Sequence, residues 1–392
     1  MGEPVIVAAV RTPVGRGIKG ALKDVRPENL AALAIDAVLD RASALKPALV
    51  DDVVLGCATP EGPQGLNIGR MAMLMTRLPD TTPGMTVNRY CSSGLEVIAQ
   101  ASDRILAGRS RATIAGGVES MSAVPLAGYN VTANPDLFRT RPEAYISMGL
   151  TAENVAAQFK VSREDQDLFA QQSHDRALAA QKNGWFDGQL VPVPYKIVST
   201  DAKGRPQVQE LKLEKDEGPR ADSSLEKLAK LKPAFKSDGT VTAGNSSQIS
   251  DGAAAVLIVD RALAEELGLK PLARLIAYQV RGVAPEIMGI GPIAAVPRAL
   301  AEAKLDMKDI GVIELNEAFA AQSLAVVREL KMDPAKVNVN GGAIALGHPL
   351  GATGTKLTVQ IVAEMHRRNL RYGLVTMCIG GGMGAAGIFE KL

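Results

Sequence analysis

The chain has 392 residues, enough for two or three domains, or for one duplicated core with an insertion, at about 150 residues per domain. Its formal net charge of +2 offers no surface for nucleic acid, and no apolar run approaches the roughly 18 residues that cross a bilayer. Aromatic residues make up 4% and glycine is abundant at 38, which argues against a disordered chain or a β-sandwich and for α/β layering with tight strand-to-helix turns.

The three cysteines lie far apart without a CxxC pair, so no disulfide framework forms and a soluble protein of a reducing, cytoplasmic compartment is expected. Met1 to Val10 lacks the length and basic start of a signal peptide. Glu390-Lys391-Leu392 matches a peroxisomal address only loosely and is given little weight.

In chain order, short β-branched runs predict strands at Val5 to Val10, Val53 to Gly56, Ala112 to Gly117, Ala254 to Val259, Leu272 to Val280, Gly311 to Leu315 and Leu374 to Ile379, with helical stretches between them. Cys57, closing the second run, reads as an inert core residue. Asn88-Arg89-Tyr90-Cys91-Ser92-Ser93-Gly94 is different, because its polar and small residues would pack a core poorly. It leads into a helix with Leu95, Ile98, Ile105 and Leu106 on one face. A thiolate is the nucleophilic form of cysteine, and a helix N-terminus, with its aligned N–H groups and dipole, lowers the thiol pKa. Cys91 is therefore a candidate nucleophile.

From about Glu119 to Asn245 the texture changes to polar helices (Ser162 to Lys182) and a mixed-charge segment, which reads as an insertion on the core's surface. Lys196 to Lys236 holds ten Lys or Arg against seven Asp or Glu. On charge alone this is a solvated face, and contact with a phosphorylated ligand is the second reading. His174 and His366, each near Arg in a polar helical stretch, read as structural.

Asn316, in Glu314-Leu315-Asn316-Glu317-Ala318-Phe319, follows a strand and opens a helix, either as an N-cap or as a site amide. His348 stands between Gly347 and Pro349, where small neighbours let backbone and ligand approach and a near-neutral pKa would suit a base for a thiol. The helix after it shows Leu357, Ile361, Val362 and Met365 on one face. Cys378 ends an apolar strand before Gly380-Gly381-Gly382, a turn that can aim N–H groups at an oxyanion and can equally join a hairpin to Ala385 to Phe389. Each reactive candidate is thus expected where a strand gives way to a helix. The spacing of Cys91 to Gly116-Gly117 also echoes that of His348 to Gly380-Gly381, as in two copies of one unit.

A zinc site would need closer ligands, and neither GxGxxG after the first strand nor GxxxxGK[ST] occurs, so no metal and no nucleotide-fold motif is expected. Two cysteines, a histidine and a glycine turn are a kit for thioester exchange.

These blocks, in this order, resemble the thiolase family. The Cys91 block resembles its nucleophile motif, and Asn316-Glu317-Ala318-Phe319, Gly347-His348-Pro349 and Cys378-Ile379-Gly380 resemble its other catalytic blocks. The likeness runs from Arg11-Thr12-Pro13 to Gly384-Ala385-Ala386, nearly the whole chain. It implies an α/β fold, a duplicated βαβαβ core in α-β-α-β-α layers. The N-terminal half would be residues 1–118 and 246–270, the inserted coenzyme A-binding loop domain 119–245, and the C-terminal half 271–392. It implies Cys91, His348, Cys378, Asn316 and Gly380 as catalytic residues. Arg220 would face the adenine nucleotide, Ser247 in the Thr242 to Ser247 segment would bond the pantetheine arm, Ala243 would join them, and Met148, Phe235 and Phe319 would line the tunnel.

No permanently bound cofactor is implied. Coenzyme A is co-substrate, 3-ketoacyl-CoA and acetyl-CoA are the other ligands, and the assembly would be a homodimer or homotetramer. The activity implied is thiolytic cleavage of 3-ketoacyl-CoA, as in fatty-acid β-oxidation, with a short-chain acetoacetyl-CoA thiolase and a non-catalytic acyl-CoA binder as alternatives. A decarboxylating ketoacyl synthase ranks lower, since that family tends to carry a second histidine where Asn316 stands. Ser147 replaces the histidine usual in short-chain members, and Asn245-Ser246-Ser247-Gln248 resembles the broad-range degradative ones.

Overall fold

The computed structural model describes residues 2–201 and 203–392. The chain opens with β1 (Pro4–Arg11), the short β2 (Gly15–Arg16), α1 (Pro27–Arg41), β3 (Asp52–Gly56), α2 (Ile68–Met73), β4 (Gly84–Val87), α3 (Ser93–Leu106) and β5 (Ala112–Ser120). It then leaves the sheet for α4 (Pro135–Thr140), α5 (Met148–Gln158), α6 (Arg163–Lys182), the hairpin of β6 (Val193–Thr200) and β7 (Pro206–Leu213), and α7 (Leu225–Ala229). It returns as β8 (Ser250–Asp260) and α8 (Arg261–Glu266). The last third is β9 (Ala273–Gly282), α9 (Gly291–Ala303), β10 (Val312–Leu315), α10 (Ala320–Glu329), the one-turn α11 (Ala343–Leu346), α12 (Leu350–Arg367), β11 (Tyr372–Ile379) and β12 (Met383–Lys391).

Strand order exposes the duplication. The path β4-β3-β5-β8-β1 continues into β9-β12-β11-β10. Beyond β10, Val337 bridges Ile313 in the parallel sense, where β4 stands in the first half. Pairings repeat as well: β3 to β5 and β10 to β11 are parallel, while β5 to β8 and β11 to β12 are antiparallel. The halves meet edge to edge through β1 and β9, at Ile6 and Ala273. Because β5 runs on to Ser120 and β8 begins at Ser250, the excursion from the sheet spans 121–249.

Three apolar layers flank and separate the two half-sheets, one between them and one on each outer face. One packs α1 and α2 on the first half, the second encloses α3 and α12 between the halves, and the third seats α9 and α10 on the far side. The α-β-α-β-α arrangement follows. α1 starts with Pro27, whose fixed φ suits a first helical turn, and buries Leu30, Ala34, Ile35 and Val38 along one stripe.

α3 and α12 touch backbone to backbone. A Cβ on Gly354 would stand 2.2 Å from the Leu95 nitrogen, so only glycine fits there. On α3, Leu95, Ile98 and Ile105 are buried as the spacing predicts, but Leu106, in the last turn, is exposed. On α12 every residue from Gly351 to Val362 is buried, so the apolar face of Leu357, Ile361, Val362 and Met365 is accompanied by buried Thr353, Lys356, Gln360 and Glu364. Each buried aliphatic side chain there stabilises the fold by roughly 1.5–3 kcal/mol, whereas polar ones require partners.

Candidate active site

Cys91 sits in a single 3₁₀ turn between β4 and α3. Asn88 braces the entry: its Nδ2 donates to the Ala58 carbonyl at 3.0 Å, and its Oδ1 accepts the Tyr90 N–H at 2.8 Å. Ser93 Oγ accepts from the Arg89 N–H at 2.8 Å and donates to the Tyr90 carbonyl at 2.7 Å. These bonds hold Tyr90 at φ 45°, a left-handed conformation that costs a non-glycine residue about 1–2 kcal/mol and marks a backbone bent for a purpose. The N–H groups of Gly380 and of Cys91 itself reach the sulfur and favour the thiolate. Burial outweighs them, and with the Glu119 carboxylate nearby it pushes the thiol up to about 11. The lowered pKa expected from the helix end is therefore not found, because desolvation exceeds the help of the N–H groups.

His348 enters from the opposite half. Gly347 holds φ 86° and a Cβ there would lie 2.5 Å from Ser250 Oγ, which instead accepts the His348 N–H at 3.0 Å. His348 Nδ1 lies 2.6 Å from Thr353 Oγ1, and that hydroxyl donates its proton to the Pro349 carbonyl at 3.0 Å. The hydroxyl can only accept from the ring, so Nδ1 carries the hydrogen and Nε2 presents its lone pair. Asn316 Nδ2 stands 3.2 Å from Nε2. Burial and the Lys356 charge push His348 down to about 3, so the imidazole is neutral, not poised near 7 as the sequence suggests. His348 also follows the one-turn α11 and not a strand.

Asn316 continues the β10 ladder, its N–H bonding the Thr376 carbonyl at 3.0 Å. α10 begins only at Ala320, with Phe319 in the cap position, so the N-cap alternative for Asn316 is not realised. Its Oδ1 is buried without a protein partner, a group suited to holding a water.

Cys378 lies on β11 opposite Gly384, and the chain turns straight into β12 instead of a helix, with Gly381 and Gly382 at φ 79° and 87°. Burial and the neighbouring Cys91 both push its thiol strongly up. It shares an apolar cluster with Ala152, Val241, Met288, Phe319 and the flanking Met148. A Cβ on Gly380 would stand 3.8 Å from both Met148 Sδ and the Tyr90 ring, so the turn spans from the nucleophile block to α5. Met288 is a member that sequence periodicity had no means of finding.

Two adjoining cavities open beside this cluster. The smaller, about 220 Å³, is lined by Arg16, His174, Arg220, Lys227, Ala243 and Gln248. The larger, about 480 Å³, is lined by Arg16, Lys19, Phe235, Ala243, Ser247 and Gln248. Phe235 meets Phe319 edge to face at 6.0 Å, linking the larger cavity to the Cys378 cluster. The Ser247 N–H bonds the Ala318 carbonyl at 2.9 Å, stitching the cavity wall to the Asn316 segment. The structure thus brings Arg220, Ala243, Ser247 and Phe235 to the cavities, and Met148 and Phe319 to the Cys378 cluster.

Arg16, Lys19 and Lys227 went unrecognised in the sequence. His174, read as structural, accepts the Arg220 N–H on Nδ1 at 3.1 Å, and burial together with the Arg220 charge pushes it down to about 4. It lines the smaller cavity and sets Arg220 in place. Part of the positive charge of the insertion is held in pairs such as Lys196 with Glu210 and Lys230 with Glu226. Asp222 also holds Arg220, at 3.1 Å. Ser147 is exposed and caps α5, its Oγ accepting the Leu150 N–H at 3.4 Å, so it faces solvent and not the cluster. Among the described residues no group of three or more His, Cys, Asp or Glu could hold a metal ion.

A fold of two repeated halves with facing cysteines and an asparagine–histidine couple defines a class, and the sequence models agree. The N-terminal domain model of thiolase matches residues 4–262 and the C-terminal domain model matches 269–391, so the chain belongs to the thiolase family. It is 53% identical over 390 residues, covering both chains in full, to a 3-ketoacyl-CoA thiolase of Bacillus subtilis (strain 168). It is 44% identical over 393 residues to the peroxisomal 3-ketoacyl-CoA thiolase 5 of Arabidopsis thaliana, covering 99% of this chain and 85% of that one. Among solved structures, a Bacillus anthracis acetyl-CoA acetyltransferase superposes with a TM-score of 0.90 at 42% identity, over 100% of this chain and 99% of that one.

Proposed function

We propose that the protein is a 3-ketoacyl-CoA thiolase of the β-oxidation type, cleaving 3-ketoacyl-CoA with coenzyme A to acetyl-CoA and a shortened acyl-CoA. The observation that carries this is the Cys91 sulfur reached by the Cys91 and Gly380 N–H groups with Cys378 beside it, and a neutral His348 just before the helix that packs on the Cys91 turn, next to cavities lined by arginine and lysine. In this reading His348 Nε2 takes the proton of Cys91 as the sulfur attacks the 3-keto carbon. Burial disfavours a free thiolate, so the proton and the electron pair move together: the negative charge appears on the carbonyl oxygen and the positive charge on His348, each stabilised by the other.

That oxygen and the thioester oxygen need separate donors. The N–H groups of Cys91 and Gly380 serve one, and His348 with a water on Asn316 serves the other, a type of stabilisation worth about 3–4 kcal/mol per donor. Cys378 protonates the departing acetyl-CoA enolate and later takes the proton of the incoming coenzyme A thiol; the coenzyme A sulfur displaces Cys91 from the acyl group, and His348 returns its proton to the Cys91 sulfur, which completes the cycle. The same groups support the reverse Claisen condensation.

Coenzyme A is co-substrate, with its nucleotide among Arg16, Arg220 and Lys227 and its pantetheine past Ser247 and Phe235. The location is cytoplasmic. The assembly is a homodimer or homotetramer, which the exposed Leu126, Tyr129, Val131 and Phe138 support. The test is to mix the protein with acetoacetyl-CoA or longer 3-ketoacyl-CoA and coenzyme A. Acetyl-CoA should appear, and its absence with every substrate would favour the non-catalytic binder.

A further inference from the structure

α12 carries a row of buried polar residues where a core helix would ordinarily be apolar. Thr353, Lys356, Gln360 and Glu364 fall at helical spacing on one face, each 0–2% exposed. Thr353 is bonded to His348, and Glu364 to Asn340 Nδ2 at 2.8 Å and to Arg367. Between them, Lys356 Nζ and both polar atoms of Gln360 have no protein partner. Across from this row, on β10, neither carboxylate oxygen of Glu314 has one either, and Glu314 is completely buried.

Glu314 precedes Asn316 by two residues, so both side chains leave the extended chain on the same side. Lys356 follows Thr353 by one helical turn. The Asn316–His348 contact therefore has Glu314 and Lys356 behind it, on the same two elements. The other charged groups around Lys356 have hydrogen-bond partners of their own. Arg11 and Asp216 form a buried pair at 2.7 Å, Glu317 accepts from Ser173, Asn338 and the Ile344 N–H, and Glu364 holds Arg367. Lys356 and Glu314 are the charged groups here left without a partner, and each biases the other: burial pushes the Glu314 carboxyl up to about 8, and the Lys356 charge opposes that rise. An unpaired buried ion is costly, and polar atoms this enclosed are satisfied by ordered water.

We propose that Lys356 and Glu314 are a positioning pair for the catalytic couple: a water-bridged contact that ties α12 to β10 behind His348 and Asn316 and sets the field at the imidazole. The Lys356 charge disfavours a second positive charge on the ring, and Glu314 offsets part of it. His348 thus keeps its Nε2 lone pair turned towards Asn316 Nδ2, with Thr353 holding the hydrogen on Nδ1.

The chain has three histidines, so selective ¹⁵N-histidine labelling resolves the ring states by NMR, independently of turnover. In the wild type His348 should stay in the neutral Nδ1–H form down to pH 5. Lys356→Met should raise the pH at which the ring takes up its proton, while burial, the larger cause, still holds it below 6.5. It should bring an acid limb into the kcat/KM profile and lower kcat about tenfold, with KM for coenzyme A within twofold. Glu314→Gln should act with the opposite sign, keeping the ring neutral and slowing alkylation of Cys91 by iodoacetamide several-fold.

The double variant Glu314→Gln/Lys356→Met, which buries no charge, should lie closer to wild type than Glu314→Gln alone, and it decides the matter if a single variant does not fold. The turnover readouts rest on the thiolase reading, whereas the NMR and alkylation readouts do not, so the two can fail separately. An unmoved His348 titration in folded Lys356→Met, with loss of melting temperature only, overturns the proposal; if that variant does not fold, a double variant whose His348 titration equals that of Glu314→Gln overturns it.

Discussion

The two halves of the core use one blueprint and differ where it matters for chemistry. α3 and α12 occupy equivalent places between the half-sheets, one following the Cys91 turn and the other following His348. The connection from the fourth to the fifth strand position is residues 121–249 in the first half, between β5 and β8. In the second half, between β11 and β12, it is the glycine turn after Ile379. One copy of this connection grew into the wall of the ligand cavities, while the other stayed short enough to place the Gly380 N–H against the nucleophile. Duplication supplied two matching ends, and unequal loops made one site of them.

If the halves divide the labour in this way, removing either sulfur should fail differently. Cys91→Ala should abolish covalent acylation and all measurable turnover. Cys378→Ala should still form an acetyl adduct while turning over roughly 10²–10⁴-fold more slowly, the usual worth of a positioned proton donor. Intact-mass spectra after incubation with acetyl-CoA decide this. An adduct persisting in Cys91→Ala and mapping to Cys57 or Cys378 would remove Cys91 from its role.

The pH dependence of stability separates the buried histidines from the buried nucleophile. Sign follows from burial: His348 and His174 are held well below 6.5, so protons bind the unfolded chain first. Their contribution is complete above about pH 6.5 and declines as the pH falls towards 4, at up to about 1.4 kcal/mol per unit for each group. Cys91 is held above 9.0, so its contribution is complete below pH 9 and declines as the pH rises towards 11. Urea unfolding at pH 5, 7.5 and 10 should show highest stability at 7.5. His348→Gln should flatten the acid side alone, and an unchanged acid slope would refute the burial argument for that ring.

The glycine turn offers a smaller effect. Gly381 has φ 79° with nothing nearer than 3.9 Å to an added Cβ, whereas at Gly382, with φ 87°, a Cβ would stand 2.4 Å from the Val283 carbonyl oxygen. Gly381→Ala should cost about 1–2 kcal/mol from backbone strain alone, and Gly382→Ala clearly more. Equal costs by urea titration would mean that the loop relaxes freely and does not hold the Gly380 N–H in place.

Legibility in the sequence followed the range of the interactions. Cys91, His348 and Cys378 were visible because reactive side chains with small neighbours are a local pattern, and the strand runs because period and β-branching are local too. Arg16 and Lys19 were not visible, since they reach the cavities only through the pairing of β2 with β8, where Gly15 meets Asp251. The β6–β7 hairpin escaped because Ile197, Val198 and Val208 are exposed, which leaves no buried face to impose alternation. α12 was read as amphipathic, although Lys356 and Gln360 are as buried as Leu357. A helix enclosed on all sides shows its polar row only once its neighbours are known.

The smallest effect concerns substrate length, and the structure sharpens it. The replacement of histidine by Ser147 suggests extra volume near the thioester, yet Ser147 is exposed and caps α5, whose next residue, Met148, packs against the Cys378 cluster. Any influence on chain length must therefore pass through the placement of Met148. Each CH₂ buried in a tolerant tunnel contributes on the order of 0.8 kcal/mol, so kcat/KM should rise from the four-carbon substrate to at least the eight-carbon one. Ser147→His should reduce that preference and also cost about 1 kcal/mol for the lost cap. Ser147→Asn, which keeps a capping side chain, should leave both stability and chain-length profile near wild type. A wild-type profile peaking at four carbons would return the protein to the acetoacetyl-CoA reading. A profile shifted equally by histidine and asparagine would show that the cap, and not the imidazole, governs where Met148 sits.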